Sequence, residues 1–141
     1  MKKTYAAMAM AALALVVLAA GCATTAKITP EEAVAAKVEA FKAAMIAKNL
    51  DGMMAVFSEK FEHYEWQDKA GAKDFMSQAI DMGYLDGIEV NTEDKELKIE
   101  GSTATVYPVE ISGSFGSVTL ELVFTDEAGN WMITGLDASG M

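Results

Sequence analysis

From residue 29 onward the apolar positions recur at two different periods, and the change of period divides the chain. Val34, Val38, Phe41 and Met45 follow one another at spacings of three and four, which places them on one helix face. Thr29-Pro30-Glu31-Glu32 supplies the start, with Thr29 as cap, Pro30 at the first helical position and Glu32 closing a capping box. The spacing predicts a helix from Pro30 to about Lys48, stopped by Asn49. Asp51 is read as the cap of a second, short helix whose apolar residues are Met53, Met54, Val56 and Phe57. Phe61 to Trp66 reads as extended. Asp68 is the cap of a third helix, Lys69 to Met82, with Ala72, Phe75, Ala79 and Met82 inward and Gly83 at its end.

After Gly87 the period falls to two. Ile88 and Val90 alternate with Glu89 and Asn91, and Leu97 and Ile99 with Lys98 and Glu100. Gly101-Ser102 reads as a turn. Val118, Leu120, Leu122 and Phe124 form a longer alternating run, Asp126 to Asn130 is a hairpin loop, and Trp131 and Ile133 continue into a last strand. Gly113-Ser114-Phe115-Gly116 lacks the Lys and the following helix of a phosphate loop, so it reads as a hairpin tip. One strand breaks rhythm: Ala104 and Val106 share a parity that Val109 and Ile111 do not. Pro108 lies between the pairs and cannot donate to a ladder. A one-residue bulge at Tyr107-Pro108 returns all four to one face and bends the sheet. Glu110 then faces away from them, toward solvent or a dimer face. The expected fold class is therefore α+β, a cone of three N-terminal helices packed on a bent antiparallel sheet whose mouth could hold a ligand.

Residues 1–21 do not fit this scheme. Lys2 and Lys3 precede an unbroken apolar run from Tyr5 to Ala20, shorter than the roughly 20 residues a bilayer span needs. It closes on Leu18-Ala19-Ala20-Gly21-Cys22, which resembles the lipobox of bacterial lipoproteins, although Leu18 stands one position further from the cysteine than is usual. The resemblance implies a signal peptide over 1–21, lipid attachment (palmitate among the acyl chains) at Cys22, and a tether over 22–28. Ala23 follows in place of the aspartate of an inner-membrane retention signal. The expected location is the cell envelope, on the periplasmic side of the outer membrane, with the lipid anchor as the membrane contact. Cys22 is the chain's single cysteine, so no intrachain disulfide can form.

Charge narrows the partners. Without Lys2 and Lys3 the chain has nine Lys against 21 Asp and Glu, a net charge of −12, and no Arg anywhere. Nucleic acid recognition requires a basic footprint and is excluded as an expectation. Nucleotide chemistry is disfavoured for want of guanidinium clamps.

The order of elements over about Thr29 to Asp137 resembles the nuclear transport factor 2-like (SnoaL-like) superfamily, with its cystatin-like cone. The residues that carry the resemblance are Asn49-Leu50-Asp51-Gly52 after the first helix and Phe57-Ser58-Glu59-Lys60-Phe61 before the first extended segment. Lys73-Asp74-Phe75, Gly101 through Val106, and Gly129-Asn130-Trp131-Met132-Ile133 complete it. It assigns residues 29–141 to one cone domain. It implies no single function, because the superfold hosts isomerases, dehydratases, hydrolases, binding modules and interaction domains. The steroid-isomerase type pairs a Tyr on the first helix with two Asp residues, and the first helix here carries no Tyr.

Candidate chemistry concentrates in His63-Tyr64-Glu65-Trp66. On a strand, His63 and Glu65 share one face and Tyr64 and Trp66 the other. With the first face inward, His63 is a general base oriented by Glu65, suited to dehydratase, isomerase or hydrolase chemistry. With the second inward, Tyr64 and Trp66 join Phe41, Tyr107 and Trp131 in a pocket for a small apolar ligand. His63 and Glu65 are too few for a metal site, and no cofactor is expected. The methionines Met45, Met53, Met54, Met76 and Met82 read as gap-filling core. Three functions follow from these readings: a tethered binding or accessory module for a small ligand or a protein, an enzyme using His63, and a homodimeric structural domain associating through its sheet.

Overall fold

The computed structural model describes residues 27–140. The leader, Cys22 and the tether as far as Ala26 lie outside the described residues.

Helix α1 (Pro30–Ile46) begins as its sequence dictates. Thr29 Oγ1 accepts the Glu32 N–H at 3.2 Å and the Glu32 carboxylate accepts the Thr29 N–H at 3.0 Å, a complete capping box. It buries Val34, Val38, Phe41 and Met45. The helix ends one residue before Ala47, with Lys48 in the left-handed region at φ 53° and the Asn49 N–H returning to the Ala44 carbonyl. Helix α2 (Leu50–Met54) follows at once, and its cap is Asn49 rather than Asp51: Asn49 Oδ1 accepts the Gly52 N–H at 3.0 Å. Helix α3 (Lys69–Asp81) is capped by Asp68 and closed by Gly83 at φ 76°, with the Tyr84 N–H on the Ala79 carbonyl. It buries Ala72, Met76 and Ala79, whereas Phe75 and Met82, expected inward, are exposed. Ala72, Met76 and Ala79 form a narrow stripe, and Phe75 lies just off it.

The sheet contains β1 (Glu89–Asn91), β2 (Glu96–Glu100), β3 (Thr103–Gly113), β4 (Gly116–Glu127) and β5 (Asn130–Ser139). All pairings are antiparallel. β4 and β5 continue the sheet from one edge of β3, and β1 and β2 lie end to end on the other. The division between them is the expected bulge. Val106 pairs with Leu122 and Val109 with Leu120, so Tyr107 and Pro108 together oppose Glu121. Ala104, Val106, Val109 and Ile111 are all buried on the helix-facing side. A second bulge lies on β5, where Val123 pairs with Gly135 and Phe124 with Ile133, leaving Thr134 as the extra residue. Two bulges, on the strands that flank β4, curve the sheet around α1. Its concave face and the helices enclose one core that includes Phe41, Phe57, Phe61, Leu122, Phe124, Trp131 and Ile133. Among the described residues no helix is long and apolar enough to cross a membrane.

Candidate functional site

The segment between α2 and α3 is fastened to the open edge of β5. The Ile133 N–H donates to the Val56 carbonyl and the Ser58 N–H to the Ile133 carbonyl, both at 2.8 Å. The Ser58 hydroxyl, itself buried, donates to a Glu127 carboxylate oxygen at 2.7 Å and accepts the Lys60 N–H at 2.9 Å. The Glu62 N–H reaches the carbonyl of Thr134, the bulged residue, at 3.2 Å. The bulge thus holds the loop that carries His63.

Beyond Glu62 the chain turns rather than extending. His63 and Gln67 exchange backbone hydrogen bonds at 3.2 and 2.8 Å, and Gln67 takes φ 66°. His63 Nδ1 accepts the N–H groups of Glu65 and Trp66, both at 3.2 Å. That nitrogen is committed to closing the turn, and Nε2 is the ring nitrogen left to act outward. Within this turn the alternation of a strand does not apply, so His63 and Glu65 do not share a strand face. Glu65 reaches the imidazole through its backbone N–H; among the described residues its carboxylate makes no hydrogen bond to the ring.

The turn gathers aromatic rings. Phe57 packs edge-on against Phe41 and Phe61 in the core. Outward from Phe61, the rings of Tyr64, His63, Trp66 and Phe75 follow in a column with centroid separations of 4.6, 4.3 and 4.6 Å. A hollow of about 430 Å³ lies beside it, lined by Glu62, His63, Tyr64 and Gln67. A second hollow, of about 270 Å³, lies on the sheet, lined mostly by outward residues such as Glu89, Asn91, Glu110 and Thr119.

No protein-family model matches the chain, and no curated protein matches it in sequence. Solved structures do. A cystatin-fold protein of unknown function from Nostoc punctiforme superposes with a TM-score of 0.64 at 10% identity, over 79% of this chain and 92% of its own. A nuclear transport factor 2-like protein of unknown function from Pseudomonas putida gives 0.66 at 10% identity, over 77% and 84%. A candidate ketosteroid isomerase from Shewanella frigidimarina gives 0.63 at 22% identity, over 76% and 94%. The chain has the nuclear transport factor 2-like cone fold. At these identities the likeness carries architecture, and chemistry has to be read from the residues in place.

Within the cone, Phe41 and Trp131 are 1% and 4% exposed and are packed into the core with Phe57 and Phe124. Tyr107, displaced by the bulge, is half exposed on the sheet. Tyr64 and Trp66 belong to the surface column. The five aromatic residues expected to line one pocket therefore divide among core, sheet and surface. Glu110 lies on the outward face, where its carboxylate accepts from the Asn91 amide at 3.0 Å. Among the described residues no group of three potential metal ligands occurs. The column itself was not expected: Phe75 was assigned to the core, and its spacing from Trp66 becomes meaningful only once the turn at 63–67 is formed.

Proposed function

We propose that this chain is a membrane-tethered envelope domain that acts by binding a protein partner on its surface. One observation carries the reading. The cone interior is filled by its own side chains, with Phe41, Phe57, Phe61 and Phe124 each at most 1% exposed, while a column of rings stands at the surface. A fold that closes its internal pocket and exposes aromatic rings is suited to recognition at that surface. Of these rings, His63 is fixed by two backbone N–H groups of the turn and Trp66 by packing on the core, which lowers the entropy those two lose on binding. The tether reading is supported by Leu18-Ala19-Ala20-Gly21-Cys22, and the residue after Cys22 favours the outer membrane. More than one acyl chain on Cys22 would make the anchoring stable.

Two measurements test this. Cys22→Ser should lose fatty-acid labelling and leave the membrane fraction; unchanged fractionation and labelling would remove the tether. In cells, a photocrosslinking residue at position 64 should give a discrete adduct that one at position 110 does not. Absence of that adduct, together with a rise in melting temperature on adding apolar lipid extracts, would return the function to the cone interior.

A further inference from the structure

The surface column also specifies what kind of partner it takes, a step that rests on the reading above. Its rings lie within 33° of parallel from each to the next, so they form a stack of flat faces. The two end rings are the exposed ones, with Tyr64 at 78% and Phe75 at 46%. Ring faces carry negative quadrupole density and attract cations. The same stretch supplies Glu62, Glu65, Asp68 and Asp74, all exposed and none in an ion pair among the described residues. Of the lysines nearby, Lys69 is taken by Glu59 at 2.6 Å, which leaves Lys60 and Lys73 against four carboxylates. Rings and carboxylates therefore select the same sign of charge.

Planarity selects within that sign. A guanidinium lies flat on an aromatic ring and still directs its N–H fork sideways to a carboxylate, whereas an ammonium is a compact, strongly hydrated point charge. This chain contains no arginine, so a second copy of it cannot supply the group. We propose that the Tyr64–His63–Trp66–Phe75 column docks an arginine-bearing segment of a different protein, with the flanking carboxylates taking the guanidinium N–H groups.

The test uses the full chain in detergent micelles and two short labelled peptides, one alternating arginine with glycine and one lysine with glycine, followed by fluorescence anisotropy. The arginine peptide should bind about fivefold tighter or better. Replacing both end rings, Tyr64→Ala with Phe75→Ala, should abolish that preference. Both rings are exposed, so an unchanged melting temperature checks the fold, and the single Tyr64→Leu variant, which keeps apolar bulk, should weaken the preference by itself. Glu62→Gln with Glu65→Gln should weaken binding of both peptides. Glu110→Gln with Glu121→Gln removes as much charge from the sheet and should leave the arginine preference intact. Equal binding of the two peptides overturns the proposal, as does a preference that survives loss of both rings. A position-64 adduct in cells without arginine preference would sink this proposal and spare the partner reading; arginine preference without an adduct would do the opposite.

Discussion

Gly71 stands where the chain leaves no room for a side chain: a Cβ there would lie 1.8 Å from the Trp66 carbonyl oxygen. Its N–H donates to the Asp68 cap at 2.9 Å, so the first turn of α3 is pressed against the turn that carries the rings. Gly71→Ala must push the two apart. Strain of this kind costs about 1–3 kcal/mol, and urea unfolding should show a loss in that range, accompanied by a weaker near-ultraviolet dichroism signal as Trp66 leaves the column. A stability within a few tenths of a kcal/mol of the parent would show that the contact relaxes freely. At this scale, purely local features were legible. Thr29 and Asp68 cap as their own neighbours dictate. Asn49 and Asp51 are two acceptable caps two residues apart, and the choice depends on Lys48 turning left-handed so that α2 starts at once. The role of His63 was hidden because its ring closes a turn in a segment read as a strand. One signal was present: Phe61 and Trp66, which both pack toward the core, are five residues apart, an odd separation that a single regular strand face does not allow.

The bulges shape the element scale, and they were unequally visible. On β3 the parity of Ala104 and Val106 against Val109 and Ile111 gave the bulge away, with Pro108 marking where it falls. On β5 the same test works: Trp131 and Ile133 share a parity and Leu136 does not, and all three are buried. The pattern on that strand was drawn from Trp131 and Ile133 alone, so Leu136 was not set against them. Deleting Thr134 should therefore be far worse than a surface change. It would leave Ile133 and Leu136 two residues apart and both still inward, but it would remove the extra residue that bends β5 and withdraw the carbonyl that receives the Glu62 N–H. The expected outcome is a cooperative transition at a clearly lower melting temperature, while Thr134→Ser, which keeps the residue count and the hydroxyl that meets Thr125 at 2.8 Å, should melt close to the parent. A deletion that melts near the parent temperature would mean that neither the bend at the bulge nor its hydrogen bond to Glu62 stabilises the fold.

For the whole molecule, the question is which surface meets another molecule, and charge separates the two candidates. The outward face of the sheet could pair with a second copy, as a homodimeric domain would require. That face presents Glu96, Glu110, Glu121 and Asp137, and Glu121 lies directly across from Asp137 on the neighbouring strand. Its lysine, Lys98, is already drawn to Glu100 at 3.2 Å. Face-to-face association would bring the carboxylates of two copies, each with a net charge of −12 over residues 22–141, into one interface without arginine to offset them. Like charges across an interface oppose pairing, and more so at low ionic strength, where they act over tens of ångströms. Sedimentation equilibrium of the leaderless Cys22→Ser chain should thus report a monomer in low salt. If raising the salt to about 1 M, which shortens screening to roughly 3 Å, drives weak dimer formation, then repulsion on this face is what keeps the copies apart. A stable dimer in low salt, dissociated by Val123→Glu, which adds a further carboxylate to that face, would instead place self-association on the sheet and make the ring column a secondary feature. The monomer outcome leaves the column, with its exposed end rings and the carboxylates beside it that make no ion pair among the described residues, as the surface for the proposed partner.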